Sequence, residues 1–156
     1  MKPLFVLFIV FAIGSLAISQ YKGHMDYDLA RKIALAATLL FTSLGHIIYT
    51  KGMMLMLPDF IPLKKEMIYL TGVLEILAAF GVFVPSLSRL TGILLIVFFI
   101  LILPANIRAC IRHLNYETAT YDGKGIEYLW FRIPFQLLLI CWTYYFVLYL
   151  LNVFSF

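Results

Sequence analysis

Glu75 is the residue that asks most of its surroundings. It interrupts an otherwise uncharged run at 67–88, about 13 Å into that run at helical rise. A charged side chain at such a depth costs roughly 2.5–3.5 kcal/mol on insertion scales, so it needs a proton or a partner. Lys65 or an arginine from elsewhere in the chain can supply the partner. Four more polar side chains lie in or beside apolar stretches: His46, Asn106, Arg132 and Gln136. An acid and an imidazole can hold and pass protons. A guanidinium anchors an oxygen acceptor, and the two amides donate or accept as the ligand requires. Such a set suits the polar end of a lipophilic molecule. It suits equally a hydrogen-bond network that only fixes helix packing, and the residues alone leave both readings open.

The elements that must position these groups follow from composition. Of 156 residues, 63% are hydrophobic and 13% charged, against a soluble norm near 45–50% and 25%. Mean hydropathy is +0.98. A soluble domain of this size keeps most residues near water, so the chain is expected to be an integral membrane protein. The net charge is +4 and the pI about 9.1, but the basic residues sit between apolar runs rather than along a stripe. They therefore suggest membrane orientation and contact with lipid headgroups, not nucleic acid.

Uncharged runs at 3–21, 33–50, 90–107 and 133–156, with 67–88 broken by Glu75 alone, each approach the roughly 20 residues a helical span needs. Strict alternation is absent, which argues against a barrel. The expected spans are 3–20, 29–50, 66–84, 89–109 and 129–152. Residues 21–28 read as a polar link, Pro85-Ser86-Leu87-Ser88-Arg89 as a tight turn, and Asp122-Gly123-Lys124-Gly125 as another. Residues 1–24 form an N-terminal transmembrane helix or an uncleaved signal anchor, since Lys2, the apolar stretch and Ala17-Ile18-Ser19 also resemble a signal peptide. Residues 25–156 form the main domain. Within it, 52–63 is apolar, too short to span and broken by Pro58 and Pro62, as expected of an interfacial segment. Its methionines suit either a flexible lining for a lipophilic ligand or an anchor at the headgroups.

Span parity places Lys2, Lys51, Lys64, Lys65, Arg108, Arg112, Lys124 and Arg132 on one side and Lys22, Arg31, Lys32 and Arg89 on the other. The richer side is expected to be cytoplasmic, with the N-terminus on it. The same parity brings His46, Glu75, Asn106, Arg132 and Gln136, from four helices, into one half of the bilayer. Helical spacing sharpens this: Thr42, Ser43 and His46 share a face, as do Gly72, Glu75 and Ala79, and Arg132, Gln136 and Thr143 form a stripe. No metal site is expected, because His24 and His113 fall elsewhere and no paired-histidine motif occurs. Cys110 and Cys141 are separated by about 18 Å of depth and are not expected to bridge; each reads as a buried filler. The aromatic end, Trp142 to Tyr149, suits an interfacial belt or a stacking surface.

Several of these stretches resemble one family. Phe41-Thr42-Ser43-Leu44-Gly45-His46 is similar to the histidine-bearing first core helix of the DoxX-like membrane proteins. Tyr69-Leu70-Thr71-Gly72-Val73-Leu74-Glu75 resembles their second helix, Leu103-Pro104-Ala105-Asn106-Ile107 the end of the third, and Tyr128-Leu129-Trp130-Phe131-Arg132-Ile133-Pro134 the entry to the fourth. The resemblance covers about 29–150 and implies an all-α, four-transmembrane-helix bundle in the bacterial plasma (inner) membrane, here preceded by one additional helix. It also implies association with membrane redox chemistry, as in the small subunit of thiosulfate:quinone oxidoreductase. The functional expectation is a redox-associated subunit that binds a quinone or another lipophilic molecule through His46, Glu75, Asn106, Arg132 and Gln136. Partners would be membrane lipid, a membrane redox complex or a second copy of the chain. The alternatives are a non-catalytic accessory or assembly subunit, and a small binder or transporter of lipophilic solutes. Whether the chain is an enzyme is left open at this point.

Overall fold

The computed structural model describes residues 2–24 and 26–149. The helices are α1 (Lys2–Lys22), α2 (Tyr27–Ile48), α3 (Thr50–Met56), α4 (Lys64–Gly81), α5 (Pro85–Ile111) and α6 (Ile126–Thr143), followed by a π-helical stretch, Tyr144–Tyr149. Among the described residues the only β-type pairing is an isolated bridge between Asn115 and Thr120. The fold is all-helical. Residues 150–152 of the expected last span lie outside the described residues.

Local chemistry sets several helix ends. Asp26 caps α2, its carboxylate accepting from the Leu29 amide at 3.1 Å. This satisfies one of the amides a helix start leaves unpaired. Asp26→Ala is therefore expected to lower stability by about 1 kcal/mol, read as a lower melting temperature in detergent. Tyr49 alone separates α2 from α3, so the expected 29–50 span divides there. α3 stops at Met56, just before Leu57 and Pro58, because the residue ahead of a proline is driven out of helical conformation. Residues 57–63 then carry the chain back to α4.

Residues 85–89 are not a turn. They open α5, with Pro85 in its first turn, where the missing N–H would have had no partner and the ring presets a helical φ. The reversal falls at 82–84 instead, and the helix before it ends at Gly81 rather than at 84. Gly125, at φ +60°, completes the loop before α6, as the glycine-rich turn led one to expect.

α1 packs along α2, α2 on α4, and α5 on α6, while the π-helical stretch touches α5, α6 and α2. Trp142 joins α6 to α1 through edge contacts with Phe8 and Phe11, at 6.3 and 5.5 Å between ring centres. The packed core contains Leu35, Leu39, Ala79, Val82, Leu95, Phe99, Leu139 and Val147. A second, smaller cluster of Met56, Ala109 and Leu114 ties α3 to the end of α5. The outside is apolar too: Ile13, Leu16, Leu77, Phe80 and Leu101 are all exposed, which a soluble monomer rarely tolerates as a continuous surface. Among the described residues three helices are long and apolar enough to cross a membrane, over Lys2–Tyr21, Tyr27–Ile48 and Pro85–Ile111. α4 and α6 are not among them, although both runs were expected to span. Each is 18 residues long, and α4 opens on Lys64, Lys65 and Glu66 and carries Glu75.

Candidate functional site

The first wall of the site is built by α2 and α4. Gly72 lets the two helices approach, since a Cβ there would stand 3.0 Å from the Cβ of His46. His46 Nδ1 lies 3.0 Å from the Ile68 carbonyl oxygen and 3.0 Å from Thr71 Oγ1. A carbonyl can only accept, so Nδ1 carries the hydrogen in that contact. Thr71 donates to the same carbonyl at 2.8 Å, which leaves its lone pairs toward the ring. Nε2 is then the nitrogen that faces Glu75 Oε2, at 3.6 Å. That contact is attractive when one proton is present between the two groups, as imidazole with carboxylic acid or imidazolium with carboxylate. Thr42 Oγ1 donates to the same carboxyl oxygen at 2.9 Å, and Glu75 is buried. Lys65 is not its partner; the ammonium sits 5.8 Å from the Tyr69 ring centre instead.

The second wall is built by α5 and α6. The Arg132 guanidinium donates to Asn106 Oδ1. Asn106 Nδ2 donates to Gln136 Oε1 at 3.0 Å, and Gln136 Nε2 donates to the Phe99 carbonyl. The relay runs one way, from a cation to a backbone oxygen, and it orients both buried amides. Arg132 also lies over the rings of Tyr116 and Tyr128, 4.9 and 5.2 Å from their centres. No carboxylate pairs with it among the described residues. Pro134, inside α6, cannot donate to the Trp130 carbonyl one turn back, which loosens the ladder between those two residues.

The two walls face one cavity of about 370 Å³. All five residues singled out from the sequence line it: His46, Glu75, Asn106, Arg132 and Gln136. Its inner end is apolar, where Leu39, Phe99 and Leu139 belong also to the packed core. Met53 and Met56 of α3 line it from the side, whereas Phe60 and Leu63 of the same apolar segment point outward. That segment therefore both lines the cavity and presents an apolar surface. At the mouth, Lys2 and Glu117 form an ion pair at 3.1 Å, and Tyr49 meets Tyr116 edge-on at 5.7 Å. Exposed as it is, that pair adds little stability. Burial pushes the Tyr116 phenol up to about 12, with Tyr128 raising it further and Arg132 opposing the shift.

Three partners escape a reading of the sequence. Thr71 and Tyr128 each lie four residues before a singled-out residue, Glu75 and Arg132, so helical spacing offers a signal for both. Tyr116 stands in the loop after α5 and offers none. The aromatic end does not face the cavity through Trp142, whose indole N–H approaches the Arg31 carbonyl at 3.4 Å; the side chains of Phe146, Leu148 and Tyr149 lie outside the described residues. Cys110 is buried but Cys141 is exposed, so the second is no filler; both are free. Among the described residues no three His, Cys, Asp or Glu side chains converge.

Fold and site thus define an all-helical protein, compatible with a membrane setting, in which four helices bring five polar side chains to one cavity. The family model of the domain of unknown function DUF8561 matches residues 35–147, and the chain belongs to that family. The matched segment contains every one of the five residues and excludes α1. No curated protein and no solved structure matches the chain.

Proposed function

We propose that the chain is a redox-associated integral membrane protein that binds a quinone, or a lipophilic carrier like it, in the cavity between α2, α4, α5 and α6. In this reading those four helices are a DoxX-like bundle in a bacterial plasma membrane, α1 is an added span, and the N-terminus is cytoplasmic. One observation carries the functional part: a proton-holding pair, Glu75 with His46, and an arginine without an acid partner among the described residues line opposite walls of one cavity with an apolar inner end. A quinone head group has an oxygen at each end and an apolar tail. One oxygen can accept from Arg132, the other can face the Glu75–His46 edge, and the tail can lie against the methionines and phenylalanines. The groups that the bilayer would otherwise penalise are thereby given a use.

Solvent extraction of protein purified in mild detergent is expected to release close to one quinone per chain. Protein stripped of it is expected to rebind an added short-chain quinone, followed by quenching of tyrosine and tryptophan fluorescence. A preparation that contains none and binds none, while remaining helical and monodisperse, overturns the reading in favour of an accessory subunit held together by the same polar contacts.

A further inference from the structure

We propose that the outer face of α5, at its C-terminal end, is a binding site for one anionic phospholipid, separate from the cavity. Arg108 and Arg112 would take the phosphate, and Pro104, Ile107 and Ile111 the upper part of an acyl chain.

These five residues line a surface groove of about 420 Å³. From Pro104 to Ile111 it runs about 10 Å along the helix, from the level of charged side chains into apolar surface. The groove does not end at Pro104. Leu90, Leu94, Val97 and Leu101 are exposed, and with Pro104, Arg108 and Ile111 they repeat at alternating spacings of four and three, which is one face of a helix. An acyl chain laid along that face meets apolar side chains over most of α5.

Charge selects the head group. The acid that neutralises this region is Asp59, which meets Lys64 at 3.1 Å, Arg108 at 3.1 Å and Arg112 at 3.9 Å. One carboxylate thus faces three cations and leaves two positive charges unmatched. Its bond to Lys64, more than the two arginines, holds the Asp59 carboxyl below the ordinary value of 3.8, so it stays ionised at neutral pH and still falls short. Arg108 uses Nη2 on Asp59 at 3.1 Å, and its Nε is covered by protein, so a phosphodiester oxygen would be taken by the outer guanidinium nitrogens of Arg108 and Arg112, whose side chains are 25% and 42% exposed. The carbonyl end of a helix repels anions, so the arginines have to supply the attraction. A zwitterionic headgroup offers the same phosphate but brings an ammonium toward this cluster, which disfavours it.

The inference rests on α5 crossing a membrane, and not on the identity of the cavity ligand. Native mass spectrometry of the full chain from mixed micelles tests it, with phosphatidylglycerol, phosphatidylcholine and inorganic phosphate as separate additives. The expected result is one phosphatidylglycerol retained, at least tenfold better than phosphatidylcholine, and no displacement by phosphate. The double variant R108Q/R112Q is expected to lose that preference. R112Q alone, at an exposed position, is expected to weaken it and guards against misfolding of the double variant. Quinone binding should be unchanged in both, which separates this test from that of the cavity. Equal retention of the two lipids, or a preference that survives in R112Q and in a folded double variant, overturns the proposal. So does phosphate alone occupying the arginines and displacing the lipid.

Discussion

Replacing Gly52 by alanine is expected to destabilise the chain by about 3 kcal/mol, at the upper end of what overpacking costs. Intrinsic propensity points the other way, since alanine is better than glycine in a helix by about 1 kcal/mol. Tertiary contact decides the sign. Gly52 is buried in α3, and a Cβ on it would run into the Tyr116 carbonyl oxygen and stand 2.5 Å from the carbonyl carbon and 2.6 Å from Cα. These are backbone atoms, so no side-chain rotation relieves the clash. The loop at 112–125 has to move, taking the Tyr116 ring off Arg132 and Tyr49. Thermal unfolding in detergent measures the effect, with Gly14→Ala as the control, because a methyl group on Gly14 meets nothing within 4 Å. The control is expected to be neutral or stabilising by up to about 1 kcal/mol. A Gly52→Ala protein as stable as the parent would show that α3 does not approach the loop this closely.

Glu75→Gln is expected to leave the fold standing and to weaken quinone binding at least tenfold. Glutamine matches glutamate in size, and its carbonyl can still accept from Thr42. Its amide can donate to His46 Nε2. It cannot hold a transferable proton or a charge, so the edge between α2 and α4 loses the property that suits it to a reducible oxygen. A hydrogen bond to a charged group is worth about 1.5–3 kcal/mol, which corresponds to roughly 10–100-fold in affinity. Melting temperature should change little. Unaltered quinone affinity in the folded variant argues that the Glu75–His46 contact only holds α2 to α4. Collapse of the fold argues the same, with the polar contacts then a structural requirement.

How much of this was visible beforehand differs from one residue to the next. Glu75, His46, Asn106, Arg132 and Gln136 stood out because each is costly in an apolar run, and counting residues at a fixed rise led to the expectation of a common level; all five line one cavity. Their division into two walls did not follow. Nothing in the sequence said that Glu75 would meet His46 rather than Lys65, or that Arg132 would lean on two tyrosines instead of an acid. Pro85 was misread for a different reason: a proline after an apolar run signals a break, and whether it ends one helix or begins the next depends on where the reversal can be packed. Cys141 was misread because burial on α6 is a matter of which side faces α5. The surface groove at Arg108 was hidden too, since Asp59 reaches it across 49 positions of chain.

The all-helical character and the break ahead of Pro58 were determined by the sequence alone. These are one-dimensional properties, set by apolar run length and by the position of a proline. Only the tertiary structure decided rotation: which face of each helix turned inward, which partner it found there, and that an apolar space remained between the two polar walls. Rotation is settled by packing among several helices at once, and no single run carries that information.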